Sequence, residues 1–344
     1  MLIRRLAALA VWSATAATVA FWLLLRATND ANALGMLLGF APRWWAVLPW
    51  GVLVPVAFVA GRRTVLGAVI GAAVALVGVA QFELPTTLAA PQGAPQGTPQ
   101  GTPQGTPRGD IRLVTYNTDV SAALASRLRN DTKSWDADVI VLQDCTSTVG
   151  DSLRAIFPAA VTLDGFCVAS RWPLLDVRPA ASLAAPPDAR LQQGAFAVRA
   201  RVQTPYGVLR VFAVHLPSPR EALSAARWPK PRVLRPRLQQ SLTERGDASA
   251  AVSSIVRRSD TRFVVAGDFN LPYGSAILRR DWGHLTNAFA RAGVGFGYTM
   301  QAGIFPVRID HVLVPESLEP VGAWVLRGYP SEHQPVVVDL EWRG

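Results

Sequence analysis

Three uncharged apolar runs fill most of the first 82 residues, and they confine what this chain can become. Residues 6–25 hold twenty residues without a charge, behind Arg4 and Arg5; residues 44–60 hold seventeen, interrupted by Pro49 and Pro55; residues 64–82 hold nineteen. Each is close to the roughly 20 residues that cross ~30 Å of hydrocarbon. The first could by itself be a cleaved signal peptide, since it has a basic start and small residues. Two further runs follow at once, which favours a retained anchor, so residues 1–85 are expected to form a membrane region of three transmembrane helices. Arg4 and Arg5, and Arg62 and Arg63 in the turn between the second and third runs, belong on the cytoplasmic side. The loop with Arg26, Asp30 and Arg43 is then external, and three spans starting inside leave the rest of the chain outside. Gly67 and Gly71 give the third run a small-xxx-small face, which suits ordinary helix packing as well as dimerisation.

A tetrapeptide repeat follows. Residues 91–109 read Pro-Gln-Gly-Ala, three copies of Pro-Gln-Gly-Thr, then Pro107-Arg108-Gly109. The period of four excludes collagen, which needs glycine at every third position. With almost no apolar side chain the stretch cannot bury a core, so residues 86–109 are expected to be a linker, with a reach of up to ~60 Å.

From residue 110 the pattern changes to short runs rich in Val, Ile and Phe. Strands are expected at 111–115, 139–142, 165–170, 195–202, 208–214, 263–266, 311–314 and 336–340, and helices at 121–129 and 238–258. The net charge of +10 divides evenly, with +5 in residues 1–109 and +5 in the remainder. That is modest for the second part and does not demand a densely basic nucleic-acid groove. One local exception is Arg227-Trp228-Pro229-Lys230-Pro231-Arg232, continued by Arg235 and Arg237. It could steer an anionic substrate or rest on anionic headgroups; a solvated loop is the alternative. The two cysteines, Cys145 and Cys167, fall in the external part, where a disulfide is permitted. Two buried thiols fit the sequence equally well.

Several of the apolar runs carry a polar residue at or near their ends. Gly267-Asp268-Phe269-Asn270 closes one, putting a carboxylate and a carboxamide two residues apart on the same side of an extended backbone. The others are Leu113-Val114-Thr115-Tyr116-Asn117-Thr118, Asp138-Val139-Ile140-Val141-Leu142-Gln143-Asp144, Val214-His215-Leu216, Arg308-Ile309-Asp310-His311-Val312-Leu313 and Ser331-Glu332-His333-Gln334-Pro335-Val336. In this order and spacing the six motifs resemble the endonuclease/exonuclease/phosphatase superfamily, whose members include DNase I-like nucleases, inositol-phosphate phosphatases and sphingomyelinases. The resemblance covers roughly residues 110–344. It implies an α/β (α+β) fold, a four-layered sandwich of the DNase I-like type, here preceded by the bundle of three transmembrane helices.

It also implies a metal-dependent hydrolase of phosphate esters, with magnesium, or manganese in its place, as cofactor. Asn117, Asp144 and Asp310 match the family's metal-binding positions, although Asp144 stands where the family has a glutamate and is one methylene shorter. His333 matches the essential histidine, and Glu332 stands where the family has its orienting aspartate. His215 matches a second histidine that donates to phosphate oxygen or the leaving group. Asp268 would orient water or share the metal, and Asn270 would bond the phosphate. His311, following Asp310 on a strand, must face the other way and is expected to pack. His284 falls outside the motifs.

Three spans followed by such a domain are also similar to membrane proteins linked to teicoplanin resistance in actinomycetes. That likeness implies an enzyme of a bacterial plasma membrane, its catalytic domain extracytoplasmic, acting on a lipid-linked or other cell-envelope phosphate. The motifs are equally compatible with an external nuclease acting on DNA or RNA, because related centres serve many substrates through different rim loops. The substitutions at Asp144 and Glu332 motivate a third reading, a non-catalytic envelope binding protein.

Overall fold

A computed structural model describes residues 1–85, 108–121, 123–181, 196–225, 231–260 and 262–343. The repeat at 91–107 and the basic stretch at 227–230 lie outside the described residues. The first apolar run is one helix, α1 (Leu2–Thr28). A short helix α2 (Ala33–Gly39) follows, capped where the Asn32 side chain accepts from the Gly35 amide at 2.8 Å. A 3-10 turn at Arg43–Val47 leads into α3 (Leu48–Ala60), and α4 (Arg62–Ala73) runs on through a π-helical stretch to Val79. Three of these segments are long and apolar enough to cross a membrane: Leu2–Thr28, Arg43–Ala60 and Arg62–Val79. They pack on one another through Val11, Trp50, Ala57, Ala68 and Ala75. The small face of α4 is used inside this bundle. A Cβ at Gly71 would lie 1.9 Å from the Trp50 ring, so only glycine admits that indole.

The remainder contains β1 (Ile111–Asn117), α5 (Ala123–Trp135), β2 (Val139–Gln143), α6 (Ser147–Arg154), β3 (Ala159–Leu163), β4 (Phe166–Ser170), β5 (Leu174–Ala181), β6 (Ala197–Thr204) and β7 (Gly207–His215). Then come α7 (Arg220–Ser224), α8 (Pro231–Arg257), β8 (Phe263–Asp268), α9 (Ala276–Trp282), β9 (Thr286–Asn287) and α10 (Ala288–Ala292). The chain closes with β10 (Met300–Ala302), β11 (Phe305–Val307), β12 (Asp310–Val314), β13 (Leu318–Val325) and β14 (Val336–Trp342). One six-stranded sheet has the order β13-β14-β1-β2-β4-β3 and the other β5-β6-β7-β8-β12-β9.

The layering follows from the strand period of two. Leu113, Val139, Val141, Val211, Ala213, Val264 and Ala266 point inward and form the core between the sheets. Their neighbours Val114, Tyr116, Ile140 and Leu142 point outward under α5 and α6, with Leu124, Leu128 and Trp135. On the second sheet Phe212, Val214, Phe263 and Val265 do the same under α8 and α9. Burial on both faces explains why these strands appear in the sequence as unbroken apolar runs. The result is a helix–sheet–sheet–helix sandwich, as expected. Strands β3, β5 and β13 escape a sequence reading because polar or small residues dilute them: Ala159–Leu163, for example, is only half-buried throughout.

Cys145 and Cys167 form a disulfide, with Cα atoms 5.7 Å apart at a sequence separation of 22. It ties the exit of β2 to β4. Closing a loop of this size restricts the unfolded chain by about 3 kcal/mol. Cys167→Ser, or reduction, is therefore expected to lower Tm by several degrees in a thermal melt, and an unchanged Tm would count against the pairing.

The apolar bundle touches the sandwich directly. Asp30, from the turn between α1 and α2, makes a two-pronged ion pair with Arg245 of α8, both bonds at 2.9 Å, and both side chains are fully buried. Gln81 donates to the Tyr273 carbonyl at 2.8 Å, and the Ala276 amide donates to the Asn29 carbonyl at 2.7 Å. Glu83 pairs with Arg308 at 2.8 Å and exchanges backbone bonds with Gly295. The sequence allowed a linker reach of up to ~60 Å; in the structure polar residues flanking the apolar helices find their partners on the sandwich itself.

Candidate active site

The polar ends of five strands meet at one edge of the sandwich. Parallel pairing sets Asn117 of β1 beside Gln143 of β2, so Asp144 leaves the sheet next to Asn117. On the other sheet, His215 of β7 pairs in register with Asp268 of β8, and Asp268 with Asp310 of β12. Two contacts bridge the sheets. The Asn117 Nδ2 donates to Asp268 Oδ2 at 3.0 Å, and His215 Nδ1 lies 3.4 Å from Asp144 Oδ1.

Backbone strain helps to aim these groups. Asp144 and Asn270 both adopt left-handed φ of 50°, uncommon for non-glycine residues and concentrated at functional sites. Gly267 has φ of 148°, and a Cβ there would lie 1.9 Å from the Val214 carbonyl oxygen. That close approach of β8 to β7 requires glycine just before Asp268. Asp268, almost fully buried, accepts from the Asn270 amide at 2.8 Å and the Asn270 Nδ2 at 3.2 Å, besides Asn117. Asn270 Nδ2 also donates to the Leu216 carbonyl at 2.8 Å. Burial pushes the Asp268 carboxyl above its ordinary value against the pull of His333, and the nearby Asp310 charge adds to the rise.

His333 is buried, with Nδ1 at 3.0 and 3.1 Å from the two Asp310 oxygens and Nε2 3.8 Å from Asp268 Oδ2. Burial disfavours its charged form, but the carboxylates of Asp310 and Asp268 outweigh this and raise its pKa to about 9. The expectation that Glu332 orients His333 is corrected here. His333 is turned inward, whereas Glu332, in the bend before it, faces out and pairs with Arg220 at 2.5 Å. Asp310, read from the sequence as a metal-binding residue on the opposite wall, is the carboxylate that fixes the imidazole. An exposed pair such as Glu332–Arg220 contributes ~0–1 kcal/mol. Glu332→Gln is thus expected to change kcat/KM less than threefold, whereas Asp310→Asn lowers kcat on the order of 10²-fold by releasing the imidazole. Equal losses in the two variants would contradict the assignment.

Residues without a role in the sequence reading support these groups. The Ser331 hydroxyl donates to the Asn117 carbonyl at 2.9 Å and accepts from the His333 amide at 3.0 Å. The Thr299 hydroxyl accepts from the Ile309 and Asp310 amides, and the Thr118 hydroxyl donates to the Asp144 carbonyl at 2.7 Å. A hydroxyl's bond to a distant backbone carbonyl or amide carries no sequence signal, even where, as for Thr118 and Ser331, the residue lies inside a motif. His311 packs as expected: its Nε2 donates to the Leu271 carbonyl at 2.9 Å, its Nδ1 accepts from Asn287, and burial lowers its pKa to about 4. His284 is exposed beyond α9.

The donor set suits a hard divalent cation, which takes oxygen ligands. Among the described residues the Asn117 Oδ1 accepts one bond, from the Asp119 amide at 2.9 Å, and keeps a lone pair. The Asp144 carboxylate is one-third exposed and reachable. A second group, Asp268, Asp310 and His333, offers ligand atoms all within 4.8 Å of one another.

Solved structures similar to this chain include an endonuclease/exonuclease/phosphatase from Beutenbergia cavernae, 19% identical, covering 68% of this chain and 72% of that one with a TM-score of 0.48. A 3'-5' exonuclease from Neisseria meningitidis is also 19% identical, with 67% and 100% covered and a TM-score of 0.49. A sphingomyelinase C from Streptomyces griseocarneus is 15% identical, with 68% and 99% covered and a TM-score of 0.45. No curated protein matches the chain. The sequence model of the Endonuclease/Exonuclease/phosphatase family matches residues 114–333, a span that begins in β1 just before Asn117 and ends on His333. Its limits enclose every polar strand end gathered at the sandwich edge, so this chain belongs to that family and is a hydrolase of phosphate esters.

Proposed function

We propose that this protein is a membrane-anchored, extracytoplasmic, metal-dependent phosphoesterase whose substrate is a lipid-linked or other cell-envelope phosphate. The observation that carries the reading is the way the membrane-proximal residues grip the site-bearing loop. Arg245, held by Asp30, donates to the Asn270 carbonyl at 3.2 Å, while Gln81 and Asn29 bond Tyr273 and Ala276 of the same loop. Such a contact supports a centre held close to the bilayer, where a membrane-bound substrate would share its surface. The disulfide supports an extracytoplasmic location, because such bonds persist in oxidising compartments.

In this reading the division of labour follows from the geometry. Asn117 and Asp144 hold magnesium, or manganese in its place, with Asp268 or Asp310 in reach. The ion supplies charge neutralisation at the phosphate and a more acidic water. His215 and His333 flank the phosphate from the two sheets and donate to its oxygens. Asp268 orients the attacking water, and Asn270, read from the sequence as a phosphate ligand, instead spends its amide hydrogens on the Leu216 carbonyl and on Asp268 and so steadies that carboxylate. Three units follow: residues 1–85 as the anchor, 86–109 as the connection and 110–344 as the catalytic domain.

The test is phosphate release by the full chain in nanodiscs with magnesium, comparing undecaprenyl phosphates with plasmid DNA and using a chelator as control. Release from the lipid, lost with chelator, supports the proposal. Cleavage of DNA alone would make the protein a tethered nuclease, and silence on both would favour a non-catalytic envelope binding protein.

A further inference from the structure

Strands β10 and β11 form a two-stranded hairpin outside both sheets, and the residues that end the apolar bundle hold it at both feet. On the entry side Glu83 exchanges backbone bonds with Gly295 at 2.8 and 3.0 Å, and the Phe82 and Phe296 rings meet edge-on at 5.1 Å. On the exit side Arg308 pairs with the same Glu83 at 2.8 Å. It also stacks 3.8 Å from the ring centre of Tyr273, whose carbonyl is held by Gln81. Ala80, Gln81 and Phe82 alone separate Glu83 from Val79, the end of the third apolar segment. At ~3.3 Å per residue, Glu83 lies within ~13 Å of that end.

The pairing gives the hairpin its direction. Asp310 is in register with Asp268, and upstream of it the carbonyls of Ile309 and Arg308 accept from the Phe269 and Tyr273 amides at 3.0 Å. The loop after Asp268 runs to the bundle, which it meets at Gln81 and Asn29. β11, leading into Arg308, therefore lies on the bundle's side of the catalytic edge. β10 runs beside the catalytic histidine: Met300 bridges to His333, and the Gln301 amide donates to the Glu332 carbonyl at 2.9 Å. Gln301, Ser331, Glu332 and Gln334 line a cleft of about 560 Å³ that flanks His333.

The hairpin changes character along its length. Val307 at its foot is buried and Met300 packs on the core of the second sheet, whereas Ile304 and Phe305 at the tip are 57% and 47% exposed. Gly303, with φ of 62°, serves the turn, where polar turn residues would ordinarily accompany it. Leu84 and Val294, neighbours across the Glu83–Gly295 bridge at the entry foot, are exposed as well. Apolar side chains scattered singly over a surface need no explanation, but a set at the tip and foot of one projection marks a contact surface.

We infer that this hairpin is a lipid-contacting element: Ile304 and Phe305 enter the interfacial layer of the bilayer beside the apolar bundle, and β10 forms a wall along which a lipid-borne phosphate reaches His333. The occupant follows from where the feet are fixed. They are continuous with the end of a helix long and apolar enough to cross a membrane, so the nearest apolar phase is the bilayer itself. A tip three residues beyond its foot projects ~10 Å, comparable with the ~5–8 Å of headgroup layer between hydrocarbon and water. The inference rests on the membrane-anchored reading and deepens it, while lipid contact at the tip does not depend on turnover.

The test uses the full chain in nanodiscs. Both native cysteines are tied in the disulfide, so Ile304→Cys supplies a single thiol for a nitrobenzoxadiazole dye. Leu9→Cys, on the exposed face of α1, carries the same dye as a control for anchoring. The dye at position 304 is expected to emit at shorter wavelength than in water and to be quenched by lipids bearing a nitroxide near the headgroup. Quenching at position 9 without quenching at position 304 would overturn the inference. Quenching at neither position would remove the membrane anchor and the inference with it. Ile304→Ser combined with Phe305→Ser is expected to raise KM for a phosphate ester of a bilayer lipid about tenfold, the loss of ~1.4 kcal/mol of apolar contact, and to leave kcat/KM on a water-soluble nitrophenyl phosphate ester unchanged. Equal losses on the two substrates would make the hairpin a mere support of the site and count against the inference. Quenching at position 304 in a chain that hydrolyses neither ester would sink the phosphoesterase reading and leave the lipid contact standing.

Discussion

His333→Asn is expected to lower kcat on a phosphate ester on the order of 10³-fold, with the melting temperature changed by no more than a few degrees. The asparagine carboxamide can place a donor near the position of Nδ1, so the bond to the buried Asp310 carboxylate survives. What disappears is the second ring nitrogen, 3.8 Å from Asp268. Positioned proton donors and acceptors contribute about 10²–10⁴-fold, and 10³ corresponds to ~4 kcal/mol of barrier. Steady-state kinetics beside a thermal melt checks this. A loss under tenfold in a stably folded variant would remove His333 from the chemistry and shift attention to His215.

The second large effect concerns stability. Asp30→Ala leaves Arg245 buried with no counter-charge, and breaking such a pair from one side costs about 3–5 kcal/mol. The Tm of the full chain in detergent should fall steeply, and proteolysis should reach the loop after Asn270 sooner. Replacing both partners, as in Asp30→Leu with Arg245→Met, is expected to recover much of that stability, because a buried ion pair and an apolar pair of similar volume are close in free energy. Activity should not recover with it, since Arg245 also holds the Asn270 carbonyl. Recovery of both would mean that the pair merely docks the helices; recovery of neither would mean that the bundle and sandwich separate.

This coupling also bears on how the enzyme can be handled. A fragment beginning near residue 108 lacks Asp30, Gln81 and Glu83, and so would carry Arg245 and Arg308 without their carboxylates. Measurements on the full chain are therefore the informative ones.

Much of the architecture was legible because its cause is local. Strands buried on both faces must be apolar at every position, which makes residues 111–115, 139–142 and 263–266 stand out. Each approaches the catalytic edge, so a polar residue at or just past its exit, such as Asn117, Asp144 or Asp268, is conspicuous against the run before it. Uncharged runs of membrane length are visible for the same reason.

Other features depended on where the chain returns in space. Glu332 adjoins His333 in sequence, yet the imidazole bonds Asp310, 23 residues away, while Glu332 turns outward to Arg220. Ser331, Thr299 and Thr118 look like any surface hydroxyl until the fold brings them under the catalytic backbone. Likewise Asp30, in sequence a loop charge between apolar helices, meets Arg245 only once the bundle lies against the sandwich. By itself the sequence determined the family, the layered sandwich, the apolar helices and most polar strand ends, since these follow from composition and period along the chain. The tertiary structure alone decided the pairing of the two cysteines, the partner of His333 and the union of the apolar bundle with the catalytic edge. Those rest on contacts between residues as much as 253 positions apart, whose separation no local pattern encodes.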